Sequence, residues 1–339
     1  MPAIDIGGGN NYQAPFREWG KIMTVERILV TGATGFLGRH TLPVLRRHFG
    51  ADRVVGVSSR DYDLLDRGQV DRMLAEIRPD VIVHYAAYCG GNLSNMQFPA
   101  DFYYRNTMFV ANVFDAAARA GVKKIVYPMG GCSYPADAVS PIGEDQLWRG
   151  YPQKESAAYS TAKMMGAVAA KAYKTQFGMN AAILIPGNMY GEYDNFNALA
   201  GHVVSGMIRR YLEARLSGAA EVVMWGSGRP TRDFVYAGDV AATIPFFIEG
   251  VEECDPVNVS SGRQTSIKEL AEIIAGLTGF QGEIRWDTEK PEGQLDKSFR
   301  IDRLRALGLG CPTPLQEGLA RTIAWFTANY ANQGDGLRL

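Results

Sequence analysis

Tyr159 and Lys163 stand four residues apart in Ala158-Tyr159-Ser160-Thr161-Ala162-Lys163. On a helix that spacing puts both side chains on one face, a turn apart. A phenol is a poor acid and a poor base near neutral pH. An adjacent ammonium stabilises its phenolate and is expected to lower its pKa. The pair therefore has the makings of a proton donor to an oxygen that gains charge. Upstream, Gly32, Gly35 and Gly38 lie in Val30-Thr31-Gly32-Ala33-Thr34-Gly35-Phe36-Leu37-Gly38, directly after the apolar run Ile28-Leu29-Val30. Between a strand and a helix, Gly32 permits a tight turn and Gly35 lets backbone approach a pyrophosphate. Gly38 is expected to let the helix pack closely on the sheet, and the helix N-terminus offers N–H groups to phosphates. Cys132, in Gly130-Gly131-Cys132-Ser133-Tyr134-Pro135, supplies a thiol where a substrate is expected.

An acidic residue closing the second strand would favour NAD by gripping a ribose hydroxyl. Here the strand reads Val57-Ser58-Ser59-Arg60. Serines and a guanidinium suit a 2′-phosphate, so NADPH is the expected cofactor through Arg60. The alternative is NAD, with Arg60 a solvated loop charge.

These groups need a scaffold, and the chain supplies one. Short apolar runs at Ile28–Val30, Val54–Val57, Val81–His84, Lys124–Pro128 and Ala182–Ile185 alternate with helical periods beginning near Phe36, Gln69, Phe102 and Ala157. This alternation predicts an α/β fold with a doubly wound parallel sheet of Rossmann type. After Asn188 the pattern changes. A helix near Asn197–Leu216 precedes Val222-Val223-Met224-Trp225, a Gly-Ser-Gly turn and Arg232-Asp233-Phe234-Val235-Tyr236. A helix over Ser266–Leu277 follows, capped by Ser266. The expected organisation is an N-terminal extension over 1–24, with Met23 an alternative start, and a cofactor-binding domain over 25–187. Residues 234–262 return to that domain. Residues 188–233 and 263–332 form a smaller C-terminal substrate-binding lobe.

Composition narrows the partners. The 339 residues carry a formal charge of −1 at pH 7, which gives no general footprint for nucleic acid. No apolar run is long enough to span a bilayer, and no signal-peptide core is present, so a cytoplasmic protein is expected. Cys89, Cys132, Cys254 and Cys311 lack metal-ligand spacing, and no metal is expected. His84 sits in an apolar run and reads as a satisfied core histidine; His40 and His48 carry no motif.

Several stretches, spread from Arg27 to Tyr330, carry a resemblance. They are Gly90-Gly91-Asn92 through Asn95-Met96, Pro99-Ala100-Asp101-Phe102, Cys132-Ser133-Tyr134-Pro135, Asn188-Met189-Tyr190-Gly191, Asp194-Asn195-Phe196 with His202, Val223-Met224-Trp225-Gly226 and Arg232-Asp233-Phe234. With the glycine turn and Tyr159/Lys163, the chain resembles the extended short-chain dehydrogenase/reductase superfamily and, within it, the GDP-L-fucose synthase family of 3,5-epimerase/4-reductases. The resemblance implies that Cys132 and His202 exchange protons at C3 and C5 of a nucleotide-linked 4-keto-6-deoxy-hexose, GDP-linked by preference. Tyr159 and Lys163 would serve NADPH-dependent reduction at C4. A 4-keto group acidifies hydrogens on both neighbouring carbons, so a thiol and an imidazole can invert them near neutral pH.

The resemblance also implies the binding residues. The cofactor would meet Gly32, Thr34, Gly35, Phe36, Leu37 and Gly38, then Arg60, Asp63 and Leu64. Ala86, Ala87, Asn106, Tyr159 and Lys163 would follow, and Pro186, Asn188, Met189 and His202 would complete the groove. The substrate would meet Cys132, Asn188, Arg210, Trp225, Arg232 and Lys297. The arginines suit the diphosphate and the indole suits the base. Cys89 reads as structural filler or as a neighbour of the sugar. Equivalent family helices, here Phe102–Arg119 and Ala157–Phe177, pair two subunits, so a homodimer is expected.

One departure stands out. The family has two serines before its cysteine, the first of which helps hold the keto oxygen; this chain has Gly130 and Gly131. Ser133, after the cysteine, would point elsewhere. Loss of one such donor costs about a hundredfold or more in rate. Another donor could substitute, the sugar could differ, or the chain could perform only the epimerase or only the reductase part. A non-catalytic cofactor-binding scaffold is the alternative of a different class.

Overall fold

The structure is a computed structural model that describes residues 25–197, 201–290, 293–330 and 337. The expected extension over 1–24, and residues 198–200 of the expected helix near Asn197–Leu216, lie outside the described residues. The first half alternates β1 (Ile28–Thr31), α1 (Phe36–Phe49), β2 (Val54–Val57), α2 (Arg67–Ile77), β3 (Val81–His84), α3 (Asn92–Gln97), α4 (Pro99–Arg119), β4 (Lys124–Pro128), α5 (Ala157–Phe177) and β5 (Asn180–Pro186). The second half runs β6 (Asn188–Tyr190), α6 (Val203–Ser217), β7 (Glu221–Trp225), β8 (Thr231–Arg232), β9 (Phe234–Tyr236), α7 (Ala237–Glu249), β10 (Pro256–Val259), β11 (Thr265–Ser266), α8 (Ile267–Thr278), β12 (Glu283–Asp287), β13 (Asp296–Lys297), α9 (Asp302–Ala306) and α10 (Leu315–Tyr330).

Six strands form one sheet in the order β10-β5-β4-β3-β1-β2, and every pairing is parallel. Parallel strands need crossovers, and the crossover helices cover both faces, which is why these strands are mostly apolar. Side-chain alternation splits the core in two. Leu29, Ile82 and Ile125 face Val113 and Phe114 of α4 and Met164 and Ala167 of α5. Ile28, Val30, Val81 and Val83 face Leu37 and Leu45 of α1 and Ile244 and Phe247 of α7. Each such side chain contributes about 1.5–3 kcal/mol on burial. The chain leaves β1 for β2 on one side and β3 for β4 on the other, so a crevice opens at the carboxyl ends of β1 and β3. A third core joins α6, α8 and α10 through Ile208, Tyr211, Leu270, Ile274 and Phe326. β7 and β12 pair beside it.

Boundaries moved where capping chemistry decided. α2 starts at Arg67 because Asp66 accepts the N–H groups of Gly68 and Gln69. α4 starts at Pro99, a residue pre-set for a first helical turn. Ser266 caps α8 through Glu269 N–H at 3.0 Å. The stretch Arg232–Tyr236 is not one strand. β8 pairs with β11 and β13, β9 pairs with β6, and the break falls at buried Asp233. Its carboxylate accepts Ser261 N–H, Ser261 Oγ–H and Gly262 N–H.

Candidate active site

The glycine turn fills the crevice mouth. Gly32 has φ +66, and a Cβ there would lie 2.7 Å from Ala86 N. A Cβ on Gly38 would lie 2.4 Å from Gly32 O and 2.8 Å from Ala33 Cα. Gly38 thus makes room for the turn itself, not for the packing of helix on sheet that the spacing predicts. Gly35 occupies the cap position of α1, where no side chain caps the helix and no acid stands in its first turn. The N–H groups of Phe36, Leu37 and Gly38 therefore face an anion site. Thr34 is exposed beside them. A cradle that a single Cβ would fill, ending on an uncapped helix, fits a dinucleotide pyrophosphate.

Beyond β2, Arg60 is exposed in a turn tied by Ser58. Asp61, next in sequence, turns its carboxylate back onto Ser58 N–H and Oγ–H, each at 2.8 Å, and these bonds hold it below its usual range. Asp63 accepts Leu65 N–H, and Leu64 is buried with its carbonyl on Asn112. On the other wall, Thr31 Oγ1 accepts Ala86 N–H at 3.3 Å, and Ala87 is half-buried. Asn106 is buried, and its amide clamps the loop: Oδ1 accepts Tyr88 N–H, while Nδ2 donates to Tyr88 O and Phe102 O.

Tyr159 and Lys163 sit in the first turns of α5. Gly166 lets this helix lie against β4, since a Cβ there would be 2.2 Å from Tyr127 Cε1. Lys163 is buried with its ammonium 4.0 Å from the centre of the Tyr127 ring. Burial pushes Lys163 down to about 8, against the opposing pull of Cys89 and Cys132. The Tyr159 phenol is held well above its ordinary value, first by burial, then by Cys89 and Cys132. That corrects the lowering expected from the lysine. Desolvation is the leading cause, and the phenol keeps its proton. Its Oη lies 3.6 Å from Cys89 Sγ. Below the pair, His84 is half satisfied: Nδ1 meets Thr31 Oγ1 at 2.8 Å, whereas buried Nε2 has no partner. Burial and Lys163 hold His84 neutral, at about 3.

Cys132 follows β4 in a short 3₁₀ turn over Gly131–Ser133. Ser133 is fully buried, and its hydroxyl has no hydrogen-bond partner. A Cβ on Gly131 would lie 2.6 Å from Phe299 Cζ, so that ring occupies the side-chain space. A Cβ on Gly130 would lie 3.0 Å from Cys132 Sγ and 3.8 Å from Tyr159 Cε1. Position 130 therefore stands between thiol and phenol. His202 is placed by other elements: it heads α6, with Nδ1 3.0 Å from Asp194 Oδ1. A carboxylate only accepts, so Nδ1 carries a proton and donates its hydrogen bond to Asp194. Asp194 is buried, and the same oxygen accepts Asn195 N–H at 2.7 Å. Asp194 lies in the stretch Asp194-Asn195-Phe196 that carries the resemblance, but the sequence assigns it no role; its bond to His202 emerges only from the structure.

The expected substrate residues occupy the lobe's edge. Arg210 Nη1 donates to Val223 O at 3.0 Å, and Arg232 Nη1 donates to Thr231 O and Gln294 O, each at 2.7 Å. Asn188 Nδ2 donates to Asp233 O. Trp225 is 58% exposed at the end of β7, with Lys290 6.0 Å from its ring. Lys297 pairs in register with Arg232 and is buried; burial lowers its pKa while Cys132 opposes. Pro186 ends β5 and Met189 pairs with Val235. The structure thus gathers Cys89, Cys132, Tyr159, Lys163 and Lys297. Among the described residues no cluster of three His, Cys, Asp or Glu side chains could hold a metal.

The model of the NAD dependent epimerase/dehydratase family matches residues 28–260. The chain belongs to this family. It is 36% identical over 307 residues to the probable GDP-L-fucose synthase 1 of Oryza sativa subsp. japonica, a match covering 89% of this chain and 92% of that one. Among solved structures, a GDP-L-fucose synthetase from Naegleria fowleri aligns with TM-score 0.85 at 28% identity, covering 93% of this chain and 99% of that one. A GDP-mannoheptose C4 reductase from Campylobacter jejuni with NADP bound aligns with TM-score 0.81 at 25% identity, covering 90% and 99%. In this epimerase/dehydratase chain the glycine turn, the sheet and the Tyr159/Lys163 helix all fall inside the matched span.

Proposed function

We propose that this chain is an NADPH-dependent epimerase/reductase of a GDP-linked 4-keto-6-deoxy-hexose. The observation that carries this reading is the clustering of Tyr159, Lys163 and Cys132 beside the glycine turn and its uncapped helix. The names of the similar proteins supply the sugar class. The nicotinamide supplies a hydride when bound. Phe36, Leu37 and Gly38 hold the pyrophosphate through backbone N–H groups, and Arg60 takes the 2′-phosphate. Cys132 and His202 move protons at C3 and C5, with Asp194 fixing the imidazole. Tyr159 donates its proton to O4 and Lys163 supports the phenolate left behind. Trp225, Arg210, Arg232 and Lys297 hold the nucleotide diphosphate.

Gly130 favours a second reading, a partial activity that is epimerase only or 4-reductase only, because that position offers no side chain to O4. Two further features extend the proposal. Exposed Tyr103 and Tyr104 on α4, with Met165 and Val168 on α5, support a homodimer built on these two helices. The cysteines form no disulfide, which suits the reducing cytoplasm. No helix among the described residues is long and apolar enough to cross a membrane.

Incubation with GDP-4-keto-6-deoxy-mannose in deuterated water tests the reading. Deuterium entering C3 and C5 without NADPH, together with NADPH oxidation when it is added, is the expected result. Neither reaction across several GDP-linked keto sugars would leave only a cofactor-binding scaffold.

A further inference from the structure

Charge builds on O4 in both halves of the proposed reaction: when a proton leaves C3 or C5, and when hydride reaches C4. One phenol is a single donor to that oxygen, and such sites work through paired donors. Gly130 and Gly131 offer no side chain, and the hydroxyl of Ser133 is buried. One polar side chain does reach the phenol. Cys89 is exposed, and its sulfur lies 3.6 Å from Tyr159 Oη.

The placement of that thiol is built in. Asn106 clamps both backbone groups of Tyr88, the residue before Cys89. Asn95 Nδ2 donates to Gly90 O at 3.0 Å and Gly91 O at 3.1 Å, the residues after it. Both asparagines are buried. The loop is therefore fixed on either side of the sulfur by amides with no exposed surface to serve. Phe102 packs edge-on against Tyr159 and tilted against Tyr88, tying loop and phenol to one ring. With the sulfur 3.6 Å from Tyr159 Oη, a carbonyl oxygen about 2.7 Å from that Oη can accept from both groups.

We propose that the Cys89 thiol is the second donor to O4 in this chain, a catalytic residue that takes the place left open at Gly130. The inference rests on the proposed function. In reduction, hydride adds to C4, the C4–O π pair moves to O4, and Tyr159 Oη–H supplies the proton; the nicotinamide is oxidised and the carbonyl reduced. Cys89 keeps its proton and only donates a hydrogen bond. In epimerisation the same bond steadies the enolate oxygen while Cys132 and His202 handle the protons at carbon.

The test uses the full chain with GDP-4-keto-6-deoxy-mannose. Cys89→Ala is expected to slow deuterium entry at C3 and C5 without cofactor, and single-turnover NADPH oxidation, each by about tenfold to a hundredfold. KM and the binding of NADPH and GDP, followed by fluorescence and thermal shift, are expected to stay at wild-type values. Cys89→Ser is expected to restore both rates, because a hydroxyl donates from nearly the same place. Gly130→Ser added to Cys89→Ala is expected to recover part of the loss, since its Cβ lies 3.8 Å from the Tyr159 ring. Wild-type rates in Cys89→Ala overturn the proposal. So does a loss that neither serine repairs, or one that follows lost binding, because packing alone gives those results. A wild-type protein that neither exchanges deuterium nor oxidises NADPH refutes the proposed function first, and the Cys89 role with it.

Discussion

Replacing Lys163 with methionine should make the cofactor-free protein more stable while abolishing reduction. The ammonium is buried and held at about 8, against 10.5 in the unfolded chain, with burial the leading cause. At about 1.4 kcal/mol per pH unit, keeping that proton in the folded state costs about 3 kcal/mol near neutral pH. The contact with the Tyr127 ring at 4.0 Å is lost in the variant. Such contacts contribute about 2 kcal/mol when desolvated, so a net gain of about 1 kcal/mol is expected. The pH dependence is diagnostic. Between about pH 8 and 10.5 the unfolded chain binds the proton and the folded chain does not, so wild-type stability rises with pH there relative to the variant. Urea unfolding near neutral pH and at several points in that window measures the gap. Lys163→Met should lead at neutral pH and lose its lead as pH climbs. A variant no more stable than wild type at neutral pH, or a gap that stays constant across the window, would refute the reasoning that burial dominates this lysine.

Asp194→Asn removes the carboxylate that fixes His202. A hydrogen bond to a charged group is worth about 1.5–3 kcal/mol, so deuterium entry at carbon should slow by about tenfold to a hundredfold with NADPH binding unchanged; normal exchange would refute the role. Gly38→Ala places a methyl 2.4 Å from Gly32 O. It should cost about 1–3 kcal/mol of stability, read by urea unfolding, and weaken NADPH more than GDP; equal effects on both ligands would argue against a turn-specific role. Arg60→Ala should raise KM for NADPH about tenfold to a hundredfold, from one lost charged contact of about 1.5–3 kcal/mol, and leave KM for NADH unchanged; steady-state assays with both cofactors decide it.

The residues legible in the sequence are those governed by local rules. The glycine turn follows from backbone sterics between a strand and a helix. The strands announce themselves because a sheet covered on both faces needs continuous apolar runs. Tyr159 and Lys163 share a face because a helix repeats every 3.6 residues. What stayed hidden depends on segments far apart along the chain. Cys89 meets Tyr159 across 70 positions, and that neighbour exists only once α4 packs on α5. Lys297 comes near Cys132 because β13 pairs with β8, strands too short to show a pattern. Asp194 reaches His202 through a loop with no periodicity. The Tyr159 phenol, expected to fall beside a lysine, rises because burial, a property of the packed site, is the leading cause. Sequence alone determined the scaffold and nominated the groups proposed to react, since both follow from short-range geometry. Only the tertiary structure decided their partners and their protons, since desolvation and long-range contact arise when the chain closes around them.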